Sequence, residues 1–222
     1  SGEFDGWTDR RVLGSRPNGI YVPRFRNIGT TRADFVRGYG FQGSANRSGW
    51  QNATRAPGIG LAFKRRLTAL GPWSMTFNGY GEMLPNPANR ATVHPTLVDK
   101  WGIPSLHIDC AWSANELAIH RDMSITAAEM LEASGARNVQ PSTRGPSTPG
   151  NANHEMGTVR MGRDPKTSVL NQWNQSWDIP NLFVTDGGAM TSSGCQNPSL
   201  TYMALTARAC RYAVEELKRR NL

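Results

Sequence analysis

The sequence predicts an α+β fold of short strands and amphipathic helices, and three observations carry that expectation. The first ninety residues alternate short apolar stretches with Gly-, Asn- and Arg-rich turns, residues 113–135 switch to helical spacing, and residues 197–222 read as one long helix behind a short apolar strand. The 222 residues include 38% apolar side chains, enough for a packed core in one or two domains.

Several function classes are excluded by composition. No apolar run approaches the roughly 20 residues a spanning helix requires, so no membrane span is expected, and the opening residues hold no signal-peptide core. The three cysteines, Cys110, Cys195 and Cys210, provide neither the even count of a disulfide framework nor a C-x-x-C metal pair. His94, His107 and His120 share no ligand spacing, so no metal is assigned. The net charge of +8 comes from two short basic runs, Lys64–Arg66 and Lys218–Arg220, and from scattered residues. A nucleic-acid partner calls for a basic patch or stripe, and none is evident.

Taken in order, Gly19–Val22 and Ser74–Phe77 read as strands between turn residues. Gly38–Gly43 matches G-x-G-x-x-G, but the residues after it, Ser-Ala-Asn-Arg-Ser-Gly-Trp, have no helical period. No acid lies between Asp34 and Glu82 to hold a ribose, so the motif reads as a glycine-containing strand turn rather than a dinucleotide loop. Ser113 with Glu116 forms a capping box, Ile119, Met123, Ala127 and Met130 recur at helical spacing, and Gly135 is a C-terminal stop. Residues 138–153, with three prolines and two glycines, read as a linker. Asn181–Thr185 is expected to be a short buried strand ending in a tight turn at Asp186-Gly187-Gly188. Asn197 as N-cap and Pro198 as first helical residue then open the last helix. Along that helix Leu200, Met203, Ala207, Cys210, Val214 and Leu217 form one apolar stripe, and Lys218–Arg220 complement its negative end.

Chemistry concentrates after residue 150. His154 sits in a loop of small residues, Asn153–Gly162, whose backbone can closely approach a ligand. Asp186-Gly187 stands at the carboxyl end of a strand, where open α/β sheets place ligands. The amides of Ser199, Leu200 and Thr201 point out of the last helix at its positive end. Each feature has a plain alternative: a surface histidine, an ordinary turn, a capped helix with nothing bound. Trp73, Trp101, Trp112 and Tyr80 suit either sugar stacking or a core, and Glu82 and Arg160 either a site or the surface.

In this order and spacing, His154-Glu-Met-Gly-Thr, Asn181-Leu-Phe-Val-Thr-Asp-Gly and Gln196-Asn-Pro-Ser-Leu-Thr with the alanine-rich helix after it resemble the C-terminal part of the glucose–methanol–choline (GMC) oxidoreductases. Weaker similarity runs upstream, through Gly81–Pro85, His94–Pro104 and the helix ending Ala133-Ser-Gly-Ala. Asn-Pro at 197–198 resembles the sugar-oxidising branch that contains pyranose oxidases and related glycoside dehydrogenases.

The resemblance implies an FAD-dependent enzyme that oxidises the CH–OH group of an alcohol, a sugar or a glycoside. His154 would be the general base and Asn197 would hydrogen-bond the substrate oxygen. Asp186 and Gly187 would lie along the FAD chain, and Asn197, Pro198 and Thr201 would lie against the flavin ring. It also implies an antiparallel-sheet substrate domain over 1–140, a linker over 141–152, and a C-terminal segment over 153–222. That last segment would supply the final strand and helix of an incomplete Rossmann-like (α/β) FAD domain. The family's N-terminal FAD-binding half would then lie elsewhere, on the same or a separate chain. Without it this chain is expected to be inactive and to bind FAD poorly; the competing expectation is a non-catalytic ligand-binding fragment.

Overall fold

Alternating apolar positions in the two longest paired strands set one half of the architecture. The computed structural model describes residues 1–5, 19–31, 34–47, 57–69 and 71–222. These form two units, Ser1–Gly81 with Asn115–Gly145, and Glu82–Ala114 with Pro146–Leu222. The architecture is mixed α+β, with antiparallel sheets and helices, as the sequence predicts.

In the first unit, β1 (Gly2–Phe4), β2 (Ile20–Val22), β3 (Tyr39–Arg47) and β4 (Trp73–Gly81) form an antiparallel sheet in the order β1-β4-β3-β2. Successive strand residues point to opposite faces, so Tyr39 and Phe41 share a face with Gly79 and Gly81. That face meets α2 (Ala114–Ala133): a Cβ on Gly79 would stand 2.7 Å from Met123 Sδ, and one on Gly81 2.9 Å from Ile119. Phe35, Tyr39, Phe41, Ala118 and Ile119 make the buried core, flanked by Phe25, Phe77, Met123 and Met130.

The G-x-G-x-x-G run is a correction to the expected turn. It lies largely inside β3, where Phe41 pairs with Gly79 and Gly43 with Phe77. A Cβ on Gly43 would come within 2.6 Å of the Thr76 carbonyl oxygen, so this glycine serves close strand packing.

A polar cluster fastens the loop after β2 to the sheet and helix. Arg26 Nε donates to Asp122 at 3.0 Å and its Nη2 to Thr126 Oγ1 at 2.9 Å, and the Tyr39 hydroxyl donates to the Asp122 carboxylate. Burial, reinforced by Asp122, pushes the Tyr39 hydroxyl above its ordinary pKa. The C-terminal stop of α2 falls where expected: Gly135 has φ of +88°, its N–H bonds Glu132 O, and Ala136 N–H bonds Leu131 O, a Schellman closure. The short helix α1 (Gly60–Thr68) was not foreseen; it carries the Lys64–Arg66 run and buries none of its side chains.

In the second unit, β5 (Arg90–Val98) and β6 (Pro104–Asp109) form a hairpin with an irregularity between Val93 and Val98. At its tip, Asp99 Oδ1 accepts from Trp101 N at 2.8 Å and Ile103 N at 2.9 Å, and Gly102 takes the positive φ of +80° that the turn needs. The remainder is an irregular segment, a 3₁₀ turn at Gly187–Ala189, and α3 (Ser199–Lys218).

Two expectations for this unit are revised. Asn181–Thr185 forms no strand: its ladder contact among the described residues is a single bridge, Phe183 to Gln175, joined by Val184 N–H to Asn174 O at 3.0 Å. A strand needs a neighbour along its length, and apolar sequence alone does not provide one. Pro198, rather than Asn197, occupies the N-cap position of α3, and no side chain caps the helix. The stripe from Leu200 to Leu217 is present but faces outward, with Leu200 78% and Leu217 62% exposed. The face that holds α3 to its unit is instead Tyr202, Ala209, Tyr212 and Glu216. No described helix is long and apolar enough to cross a membrane.

Candidate active site

Three segments chosen from the sequence meet in the second unit, and Gly187 marks the place. Asp186 begins a 3₁₀ turn by accepting from Gly188 N at 2.8 Å, which fixes Gly187 in a buried position. The loop after His154 runs beside that turn: Gly157 N–H bonds Gly187 O at 3.4 Å, Val159 bonds Gly188 at 3.0 Å, and Met161 bonds Ala189 at 2.9 Å. The start of α3 closes the third side. A Cβ on Gly187 would stand 2.7 Å from Glu155 O, 2.8 Å from Tyr202 Oη and 3.0 Å from Met156 Sδ. Only glycine fits where the His154 loop, the Asp186 turn and α3 converge.

The individual candidates differ in surroundings. His154 is half-buried, whereas Asp186, Asn197 and Thr201 are exposed and Pro198 is buried. Among the described residues no hydrogen bond joins His154 to Asn197. Asn197, Ser199, Leu200 and Thr201 are exposed and no side chain caps α3, which leaves its first amides without a capping partner at the helix start. Asp186 commits one carboxylate oxygen to Gly188 and has a second to offer. This donor set fits the edge of a flavin and its linking chain: outward amides, an uncharged side-chain amide, a carboxylate and a close-packed glycine.

Sequence reading missed the residues that hold α3 in place. Tyr202 donates to Met156 Sδ at 3.6 Å, and Arg208 donates to Asn174 Oδ1 at 3.1 Å and to Met161 Sδ at 3.5 Å. Burial, with the carboxylates of Asp186 and Glu155, pushes the Tyr202 hydroxyl above its usual pKa. The available signal was the second helical stripe through Tyr202, Ala209 and Tyr212, which the more apolar stripe concealed. Of the aromatics proposed for stacking, Trp101 and Tyr80 are exposed; Trp73 is half-buried beside Arg47, and Trp112 Nε1 donates to Ser147 O at 2.9 Å. The first unit holds a cleft of about 450 Å³ between α2 and the sheet, lined by Phe77, His120 and Met123 among others, and it contains none of the candidates. No group of three or more His, Cys, Asp or Glu among the described residues is arranged to hold a metal.

The C-terminal-domain model of the GMC oxidoreductases matches residues 85–206. Among curated relatives, 2-methyl-1,2-propanediol dehydrogenase of Mycolicibacterium austroafricanum is 33% identical over 87% of this chain and 35% of its own length. The fructose dehydrogenase large subunit of Gluconobacter japonicus is 31% identical over 62% of this chain and 24% of its own. Pyranose 2-oxidase of Lyophyllum shimeji is 36% identical over 32% of this chain and 11% of its own. The chain thus spans about a third or less of the length of these relatives. A family match over more than half of the sequence shows that this chain belongs to the GMC oxidoreductases.

Proposed function

We propose that this chain is the C-terminal portion of an FAD-dependent oxidoreductase acting on a CH–OH group, that of a sugar or glycoside. The observation that carries this reading is the convergence at Gly187 of the segments bearing His154, Asp186 and the start of α3. The relatives are named for a diol, fructose, gluconate, C-glycosides and a pyranose, all hydroxyl-bearing compounds.

Oxidising a CH–OH carbon removes a proton from oxygen and a hydride from carbon. His154 takes the proton, since imidazole titrates near neutrality and suits a general base. Asn197 donates its amide N–H to the same oxygen as negative charge gathers there, and fixes the hydroxyl without adding charge. FAD, when bound, supplies the hydride acceptor. Asp186, Gly187, Pro198 and Thr201 would hold it, and the α3 N-terminal amides favour negative charge beside them.

The remaining FAD-binding half belongs on the outward stripe of α3. Leu200, Met203, Val214 and Leu217 are all exposed, and covering the exposed part of each would contribute about 1–2 kcal/mol. The domain layout of 1–140, 141–152 and 153–222 is part of the same reading.

Replacing His154 with Ala in the full-length enzyme tests the base. Single-turnover flavin reduction by substrate is expected to slow about 10²- to 10⁴-fold. An unchanged rate would return His154 to a structural role and favour a non-catalytic ligand-binding piece.

A further inference from the structure

The loop bearing His154 is held unevenly. Its distal part, residues 157–161, is tied by three backbone hydrogen bonds to Gly187–Ala189. Its proximal part, residues 152–156, has no such ladder among the described residues; Ala152 N–H bonds the Glu155 carboxylate at 2.7 Å within the loop itself. From outside, Gly187 packs against Glu155 O and Met156 Sδ, and the Tyr202 hydroxyl reaches Met156 Sδ at 3.6 Å and crowds the same Cβ-less face of Gly187. Tyr202 lies in the first turn of α3, five residues after Asn197, and its N–H bonds Pro198 O at 3.0 Å. One path of contacts between the two proposed catalytic side chains therefore runs His154, Met156, Tyr202, Pro198, Asn197.

We infer that Tyr202 is a positioning residue whose hydroxyl, held on Met156 sulfur, sets the proximal His154 loop in register with Asn197 at the start of α3. This rests on the proposed roles of His154 and Asn197. A hydroxyl-to-thioether contact is weak as a stabiliser but directional, and a displacement of about 1 Å at a base can cost about 10²-fold in rate. Phenylalanine at 202 keeps the ring and loses only the bond. Leucine at 156 keeps nearly the same volume and loses only the acceptor.

The test compares Tyr202→Phe, Met156→Leu and the double variant in the full-length enzyme, with His154→Ala alongside. Expected are a limiting flavin-reduction rate at saturating substrate that falls about 3- to 10-fold in each single variant, and no further loss in the double. Substrate dissociation constant, flavin content and thermal midpoint should stay near wild type; a purely structural role would move the last two and spare the rate. Wild-type rates in both single variants, or effects that multiply in the double, would overturn the inference. If His154→Ala is slow while Tyr202→Phe is not, only the positioning role fails. If His154→Ala is itself at wild-type rate, the base reading fails with it.

Discussion

Tyr212 lies flat on Trp173, with ring centroids 4.9 Å apart and planes within 6° of parallel. Phe183 meets Tyr212 edge-on at 6.4 Å, and Arg208 stands 5.9 Å from the Trp173 ring. This cluster holds the later turns of α3 to a segment that has almost no regular secondary structure, so side-chain packing replaces the ladder that would otherwise order it.

Tyr212→Ala is accordingly expected to cost about 2–4 kcal/mol, the stack contributing about 0.5–1.5 of it beyond buried area. Tyr212→Phe keeps the stack, gives up only a long contact to Gln175, and should cost under about 1 kcal/mol. Urea unfolding of the full-length enzyme separates the two; equal losses would mean that the hydroxyl rather than the stack matters.

The Arg26, Tyr39, Asp122 and Thr126 cluster gives a pH signature. The Tyr39 hydroxyl ionises later folded than unfolded, so its contribution is complete below about pH 10 and declines as pH rises above that. Tyr39→Phe should lower stability at neutral pH by about 1–2 kcal/mol, because Asp122 and Thr126 lose a partner. The gap to wild type should narrow in alkaline solution. Denaturation midpoints at pH 7 and above pH 10 check this, and a gap that stays constant would sink it.

On the proposed role of Asn197, Asn197→Ala should slow single-turnover flavin reduction about 10²-fold with a smaller change in substrate dissociation, since its amide would act on charge that develops during the reaction. Asn197 supplies no cap to α3, so thermal stability should hardly move. A large loss of stability with an unchanged rate would assign the side chain to folding.

Met203→Asp puts a charge on the outward stripe of α3, 68% exposed here. In the full-length enzyme the flavin-to-protein absorbance ratio should fall, whereas Lys100→Ala, at an exposed position in the β5–β6 turn, should leave it intact. The 222-residue chain alone should take up no stoichiometric flavin. A yellow, fully loaded preparation of it would contradict the assignment of the FAD-binding half to other residues.

Regular local codes were legible in the sequence. The Gly135 closure of α2, the β2 and β4 strands and the α3 helix depend on neighbours within a few residues, and periodicity records them. Asn181–Thr185 was misread because a strand is a pairing as much as a composition. The Leu200–Leu217 stripe was found but its direction was not, since helical spacing identifies a face without saying what covers it. Gly43 resembled a ligand loop because a close strand contact and a close ligand contact select the same residue. Among the candidate site residues, His154 and Asn197 stand in recognisable runs, but Tyr202 and Met156 gain significance only through a contact between segments 46 residues apart.

The turn built on Asp99 has an optical consequence. It holds Trp101 out at the hairpin tip, 72% exposed, with the Lys100 ammonium 4.2 Å from the ring centroid. An indole in water emits toward the red, and a cation over its face attracts anionic quenchers more than cationic ones. Trp101 is thus a native fluorophore that iodide should reach far more readily than caesium, and any molecule that settles on the hairpin would register first as a blue shift and a loss of that asymmetry.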